Sequence, residues 1–254
     1  MSKLIDKLEH IQAGNPQPLG FGALSSQART SSMLLIASMS AKDAGKAKGL
    51  GSLGVDGIIV RAEDPASAKS PGEGLLWGAW LNGASNEGVD SLKEAGCDFI
   101  VFDPDKMPLS VLDRKDQGRV LVLGTELSVD QRRTVDALPV DVVLIAPDRD
   151  SDSLTVKGLM DILTLAWGTG KSALLSWNGP LTKSELEGLR GADIIGIVVD
   201  TSKAEAGVIE GLKKAIDSLP RKASHQRGGR HSATIPQAAG FITGGEDEYE
   251  EDDD

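Results

Sequence analysis

Histidine, cysteine and tyrosine are nearly missing from this chain. Its 254 residues include three histidines, one cysteine and one tyrosine. His10 lies in the first amphipathic segment, and His225, His231 and Tyr249 fall in the C-terminal tail. The body between them therefore offers no imidazole or phenol for acid–base work and no histidine cluster for zinc, which excludes amidohydrolase-like metal centres. Its one thiol, Cys97, precedes a strand-like run, so it sits at the wrong end for a barrel-mouth nucleophile. A lone cysteine makes no internal disulfide, which points to a reducing compartment. Long apolar runs are absent too. The stretch 33–39 is far below bilayer-spanning length. Met1 leads straight into Lys3-Leu4-Ile5-Asp6-Lys7-Leu8 rather than a leader, so the expectation is a cytoplasmic protein with no membrane partner. Positive charge is scarce, with 27 basic against 38 acidic residues and a net charge of −11. Duplex binding needs clustered lysine and arginine, so no nucleic-acid partner is expected.

Buried strands and glycines are what the chain does have. Apolar content of 40% and charged content of 26% are ordinary for a globular protein, and thirty glycines suit many short turns. Leu4, Ile5, Leu8 and Ile11 form one helical stripe, ended by Gly14-Asn15-Pro16-Gln17-Pro18. The loop around Phe21 is expected to cover a barrel end. Eight apolar runs follow, at 33–38, 57–61, 75–81, 99–102, 120–123, 142–146, 173–176 and 194–199. None alternates strictly with polar residues, as expected of strands buried on both faces of a parallel sheet. Capping-box patterns precede three helix-length segments, at Ser128/Gln131, Thr182/Glu185 and Ser202/Glu205. Residues 65–73 carry two prolines and a glycine and predict a short or irregular helix.

The strands share a two-strand repeat. Even strands begin with an aspartate after a turn, at Asp56, Asp98, Asp141 and Asp193, and a second acid follows seven residues later at Glu63, Asp105, Asp148 and Asp200. Odd strands follow a glycine instead. Eight strand–helix pairs with a period of two strands suit a closed barrel whose alternate strands feed alternate core layers. No G-x-G-x-x-G follows the first strand, which argues against an open dinucleotide-binding sheet. Over residues 1–220 the chain resembles the TIM-barrel superfamily in architecture, a (β/α)8 α/β fold with an N-terminal helix and a disordered tail at 221–254. That tail runs from basic (221–231) through apolar (235–242) to acidic (246–254).

TIM-barrel sites sit at the C-terminal strand ends. Register places Ser40, Glu63, Asn82, Asp105, Glu126, Asp148, Asn178 and Asp200 there. Clustered oxygens suit Mg²⁺ or another hard divalent cation, and crowded carboxylates split their pKa values into an acid and a base. The expected roles are Asp105, Glu126 and Asp148 in catalysis, Glu63, Asp105, Asp148 and Asp200 on the cation, and Lys42, Arg61, Asn82, Asn178 and Lys203 on the substrate. The corresponding function is a lyase or isomerase acting on a small oxygen-rich metabolite. Helix N-capping competes as the use of these polar residues. An alternative is a barrel without catalysis, in which residues 235–254 dock a protein partner. Gly168-Thr169-Gly170-Lys171-Ser172 imitates a phosphate loop, but it follows a helix and precedes a strand, the reverse of the order that motif needs.

Overall fold

The computed structural model describes residues 2–13, 31–72, 74–147 and 153–220. Phe21, Asp148 and the tail at 221–254 lie outside the described residues. Eight parallel strands close in sequence order into one barrel: β1 (Leu34–Ser40), β2 (Gly57–Ala62), β3 (Trp77–Leu81), β4 (Phe99–Phe102), β5 (Gly118–Leu123), β6 (Val142–Ile145), β7 (Ser172–Ser176) and β8 (Ile194–Asp200), with β8 pairing back onto β1. The expected (β/α)8 fold is the observed one. The helices are α1 (Lys3–Ala13), α2 (Ala47–Ser52), α3 (Asn86–Glu94), α4 (Val129–Ala137), α5 (Val156–Gly168), α6 (Lys183–Gly191) and α7 (Ala206–Asp217). Between β2 and β3 the described chain makes one short 3₁₀ turn, Pro65–Ser67, in keeping with the prolines there. Among the described residues no helix is long and apolar enough to cross a membrane.

Two apolar cores follow from strand alternation. One face of each strand meets the surrounding helices through residues such as Leu35, Val60, Ala79, Ile100, Leu121, Val143, Leu175 and Val199. The other face fills the barrel with Ile36, Ile59, Phe99, Val101, Val120, Leu144, Leu174 and Val198. Phe99 occupies the lower interior because Gly78 has no side chain. A Cβ on Gly78 would lie 2.4 Å from the Phe99 ring. The capping boxes at Ser128/Gln131 and Thr182/Glu185 form. The one expected at Ser202/Glu205 does not: α7 starts later, behind Glu205, without a side-chain cap. Gly168 ends α5 and Ser172 starts β7, so the phosphate-loop imitation is a helix-to-strand turn.

The aspartates at the strand starts hold the N-terminal face together. The Asp56 carboxylate accepts the Leu35 N–H at 2.9 Å, and its own N–H donates to the Leu35 carbonyl at 2.7 Å. Asp141 repeats this on Arg119, with N–H distances of 2.9 and 3.0 Å, and adds two guanidinium bonds at 3.0 and 2.8 Å. Asp98 turns its carboxylate to α1 instead. It accepts the N–H groups of Lys3 at 2.8 Å and Leu4 at 2.9 Å and the Ser2 hydroxyl at 2.6 Å. A carboxylate at a helix start satisfies orphan amides and complements the helix dipole. α1 thereby seals the barrel floor with Leu4, Leu8 and Ile11, each burial contributing roughly 1.5–3 kcal/mol. Gly96 precedes Asp98 at φ 83°, a conformation in which a Cβ would be strained.

Candidate functional site

Alternation along the strands decides which side chains line the barrel. Ile59, Val101, Leu144 and Val198 share the interior, so the next residue but one on each even strand faces inward above them: Arg61, Asp103, Ala146 and Asp200. On the odd strands Ile36, Val120 and Leu174 are followed on the same face by Ser38, Val122 and Ser176, and Trp80 packs against the interior cluster. The tilt of a closed eight-stranded barrel groups alternate strands into layers. The apolar filling is thus topped by Ser38, Trp80, Val122 and Ser176, then by Arg61, Asp103, Ala146 and Asp200. The interior changes from aliphatic to polar and charged at the C-terminal mouth.

The centre of this mouth is an ion pair. Arg61 Nη2 lies 2.5 Å from Asp200 Oδ1, with the Asp200 side chain 8% and the Arg61 side chain 36% exposed. Asp200 Oδ1 also accepts the Ser202 N–H at 2.9 Å and the Ser202 hydroxyl at 2.7 Å. Asn178 Oδ1 accepts the Asp200 N–H at 2.9 Å, tying β7 to β8. Burial pushes the Asp200 carboxyl up, and the bonds from Arg61 and Ser202 outweigh it, holding the group below the ordinary carboxylate range. Beneath the pair lies Ser38, which is 2% exposed. Its carbonyl accepts both the N–H and the hydroxyl of Thr201, at 2.9 and 3.2 Å. Among the described residues its own hydroxyl has no hydrogen-bond partner. A buried hydroxyl left unpaired costs about 1–3 kcal/mol, which marks this spot as short of an acceptor or donor from elsewhere.

A second polar group stands at the rim. Lys106 Nζ is 3.4 Å from Asn82 Oδ1 and 3.4 Å from Asp103 Oδ2. Asp103 is half-buried and faces inward, so it belongs to the mouth although the seven-residue count passes over it for Asp105. Asp105 is exposed on the turn after β4, and Glu126 and Glu63 are exposed in loops. Lys42 and Lys203 are exposed beyond the ends of β1 and β8. Of the sequence-selected residues, then, the structure brings Arg61, Asn178 and Asp200 together, leaves Asn82 on the rim and sets Asp105 and Glu126 outside. Among the described residues no group of three or more His, Cys, Asp or Glu side chains is placed to hold a metal ion. The expected cation set is therefore not assembled from Glu63, Asp105 and Asp200, because Asp200 is turned to Arg61 and the other two point to solvent.

Ser40 does cap the 3₁₀ helix Ala41–Lys46 that follows β1, but among the described residues the other mouth positions are not the caps of the helices that follow them. Ser85, Ser128, Thr155 and Thr182 cap α3 to α6, two or more positions past the mouth residues. Two of the mouth positions make local turn bonds: Ser40 accepts the Lys42 N–H at 3.4 Å and Asp200 takes Ser202. That second turn leaves the β8 loop a poor phosphate cradle. The donors an anion would use already bind the Asp200 carboxylate.

No family model matches this chain, and no curated protein matches it. Solved structures do match it, at low identity. Phosphoribosyl anthranilate isomerase from Thermus thermophilus superposes with a TM-score of 0.54 at 12% identity, covering 74% of this chain and 100% of that one. KGPDC from Streptococcus mutans gives 0.53 at 14% identity, covering 74% and 99%. A mutant tryptophan synthase alpha-subunit from Pyrococcus furiosus gives 0.51 at 12%, covering 73% and 97%. What these likenesses establish is architecture, and by that measure the chain is a TIM barrel.

Proposed function

We propose that the C-terminal mouth binds a small oxygen-rich metabolite with an anionic or carbonyl group and converts it by proton transfer, as a lyase or isomerase does. The observation that carries this reading is the charged layer on top of an aliphatic core, with the Arg61–Asp200 pair above an unpartnered Ser38 hydroxyl. A buried ion pair is weak as a stabilising device, since desolvation offsets much of its attraction. An aliphatic layer would have served the fold as well, so binding is the better account of Arg61, Asp103 and Asp200 at one level. That solved barrels of this shape include a named isomerase supports an enzymatic reading.

The pair also suggests how the residues divide the work. Arg61 presents a planar fork suited to carboxylate or phosphate oxygens. When a bound anion draws the guanidinium away, Asp200 loses a bond that keeps its pKa low while burial still raises it. The carboxylate then becomes a stronger base beside the bound ligand. Asn178 fixes the Asp200 backbone, Asp103 faces the same space as a second carboxyl, and Ser38 supplies a hydroxyl from below. The test is calorimetric titration with glycerate, citrate and ribose 5-phosphate. Saturable binding at ~mM or tighter to at least one, weakened at least ~tenfold in Arg61→Met, is expected. No binding to any of them, or equal binding in Arg61→Met, would sink the proposal.

A further inference from the structure

The outside of the barrel carries one apolar stripe. Among the described residues five large apolar side chains are strongly exposed: Leu109, Val129, Val156, Met160 and Trp167. Leu109 opens the short 3₁₀ helix after β4. The other four lie on α4 and α5, and the remaining helices carry none. Val156, Met160 and Trp167 are 79%, 60% and 64% exposed, and half-buried Leu163 joins them into a line with steps of four, three and four residues. The other side of α5, with Ile162, Leu165 and Ala166, is buried against the barrel. This helix therefore has two apolar faces, and the barrel uses one. Steps of four and three are the seam of two helices packed along their length. An exposed contiguous apolar patch of this kind marks an interaction surface.

The charges beside the stripe say what fits it. α5 runs from the mouth toward the floor with α4 alongside. Arg132 of α4 donates to the Thr164 carbonyl at 3.4 Å, and its side chain lies over Gly168. Lys157 stands two turns above Thr164 on that same side of α5. Its side chain is 76% exposed and meets only Asp161, 3.0 Å away, in the kind of surface pair that contributes little and yields readily. At the lower end exposed Asp136 of α4 reaches the α5 exit, where a Cβ on Gly170 would lie 2.6 Å from its carboxylate. The α4 edge of the stripe is thus positive at the top and negative at the bottom. A two-fold axis crossing α5 between Met160 and Leu163 lays that edge on itself upside down. It sets Lys157 of one copy against Asp136 and the carbonyl end of α5 in the other, and Trp167 against Val156. A parallel pairing offers no such match, because it puts the two lysine ends side by side. We propose that this face is a homodimer interface, in which two copies of this chain pack through antiparallel α5 helices with α4 at the rim. A stable interface covers about 800 Å² per partner. Three side chains fall short of that, so Val129 and the polar face of α4 take part, and the dimer is a weak one with Kd about micromolar.

Sedimentation velocity of the full chain from ~1 to ~200 µM is the test. A reversible monomer–dimer equilibrium is expected. Trp167→Lys and Met160→Glu, both on exposed side chains, should each raise the dimer Kd at least ~tenfold and leave the far-ultraviolet dichroism unchanged. The charge pair tests the orientation. Lys157→Asp and Asp136→Lys should each weaken the dimer, since each sets like charges across the interface. The variant carrying both has the charges exchanged and should return to within ~threefold of the wild-type Kd. A chain that stays monomeric at ~200 µM overturns the proposal, whether the stripe then serves a different protein or another segment of this chain. A dimer indifferent to Trp167→Lys overturns it too, and so does a charge exchange that leaves the dimer as weak as the two single changes combined.

Discussion

Replacing Arg61 by methionine keeps the aliphatic stem and removes the charge that faces Asp200. Breaking a buried ion pair by deleting one partner costs about 3–5 kcal/mol when the other charge is left stranded. Two observations reduce that figure here. The Arg61 side chain is 36% exposed, so solvent already screens the pair. Ser202 also keeps two hydrogen bonds to Asp200 Oδ1. An expected loss of ~2 kcal/mol remains, equivalent to about 4–8 °C in Tm for a domain of this size. Asp200→Asn leaves the better-solvated guanidinium behind and should cost less, ~1 kcal/mol. In the double variant the stranded carboxylate is gone, so its loss should fall short of the sum of the singles by ~1 kcal/mol or more. Urea unfolding of the four proteins at pH 7 measures this cycle. Acid supplies a second reading. The folded Asp200 carboxyl is held below its unfolded value of about 3.9. Its contribution is therefore complete above that pH and disappears as pH falls through the lower folded value. Asp200→Asn should accordingly flatten part of the acid limb. Singles that add within ~0.3 kcal/mol, together with an unchanged acid limb, would refute the interaction.

Three further outcomes follow from the lower barrel and the core. Gly78→Ala drives a Cβ to 2.4 Å from the Phe99 ring and should destabilise by about 1–3 kcal/mol in denaturant unfolding, a loss that Phe99→Leu in the same chain should partly relieve. Asp98→Ala removes the acceptor for two α1 amides and a hydroxyl and should cost roughly 1–3 kcal/mol; amide exchange in α1 should accelerate more than exchange in β5 to β7. Burial pushes the Cys97 thiol up to about 12, so at pH 8 a thiol reagent should modify it only as fast as the barrel opens, and rapid labelling of folded protein would contradict its place in the core.

The barrel was legible because both faces of its strands are buried. Continuous apolar runs such as Phe99–Phe102 carry that signature without any help from tertiary context. The mouth was harder, and the reason is strand length. Counting seven residues from each starting aspartate lands correctly on Asp200, since β8 runs seven residues and the β7–β8 ladder contains an irregularity. β4 has four residues, so the same count overshoots the inward-facing Asp103 and stops at Asp105 on the following turn. Arg61 was found through its charge beside the β2 exit, although the count itself pointed to Glu63. Trp80 was within reach of alternation alone, because it shares parity with Leu76 and Gly78 inside the barrel. The orphaned Ser38 hydroxyl was beyond reach. An unpaired donor is a property of three-dimensional surroundings, and no local pattern announces it.

The seal formed by α1 has a further meaning for how the chain is made. α1 leaves the ribosome before any strand, and its seat is completed by β8, which α1 touches and which is translated last among the strands. During nearly the whole synthesis Leu4, Leu8 and Ile11 have no finished floor to cover, and the edges of β1 and β8 have no partners in each other. Closing the barrel thus pairs the first strand with the last, with a large loop to close. Until then the nascent chain shows an apolar helix face and an open sheet edge, the two features most prone to intermolecular association. Tethering α1 to Asp98 in the middle of the sequence lets the helix dock by one end once β4 is made, and so shortens its exposure.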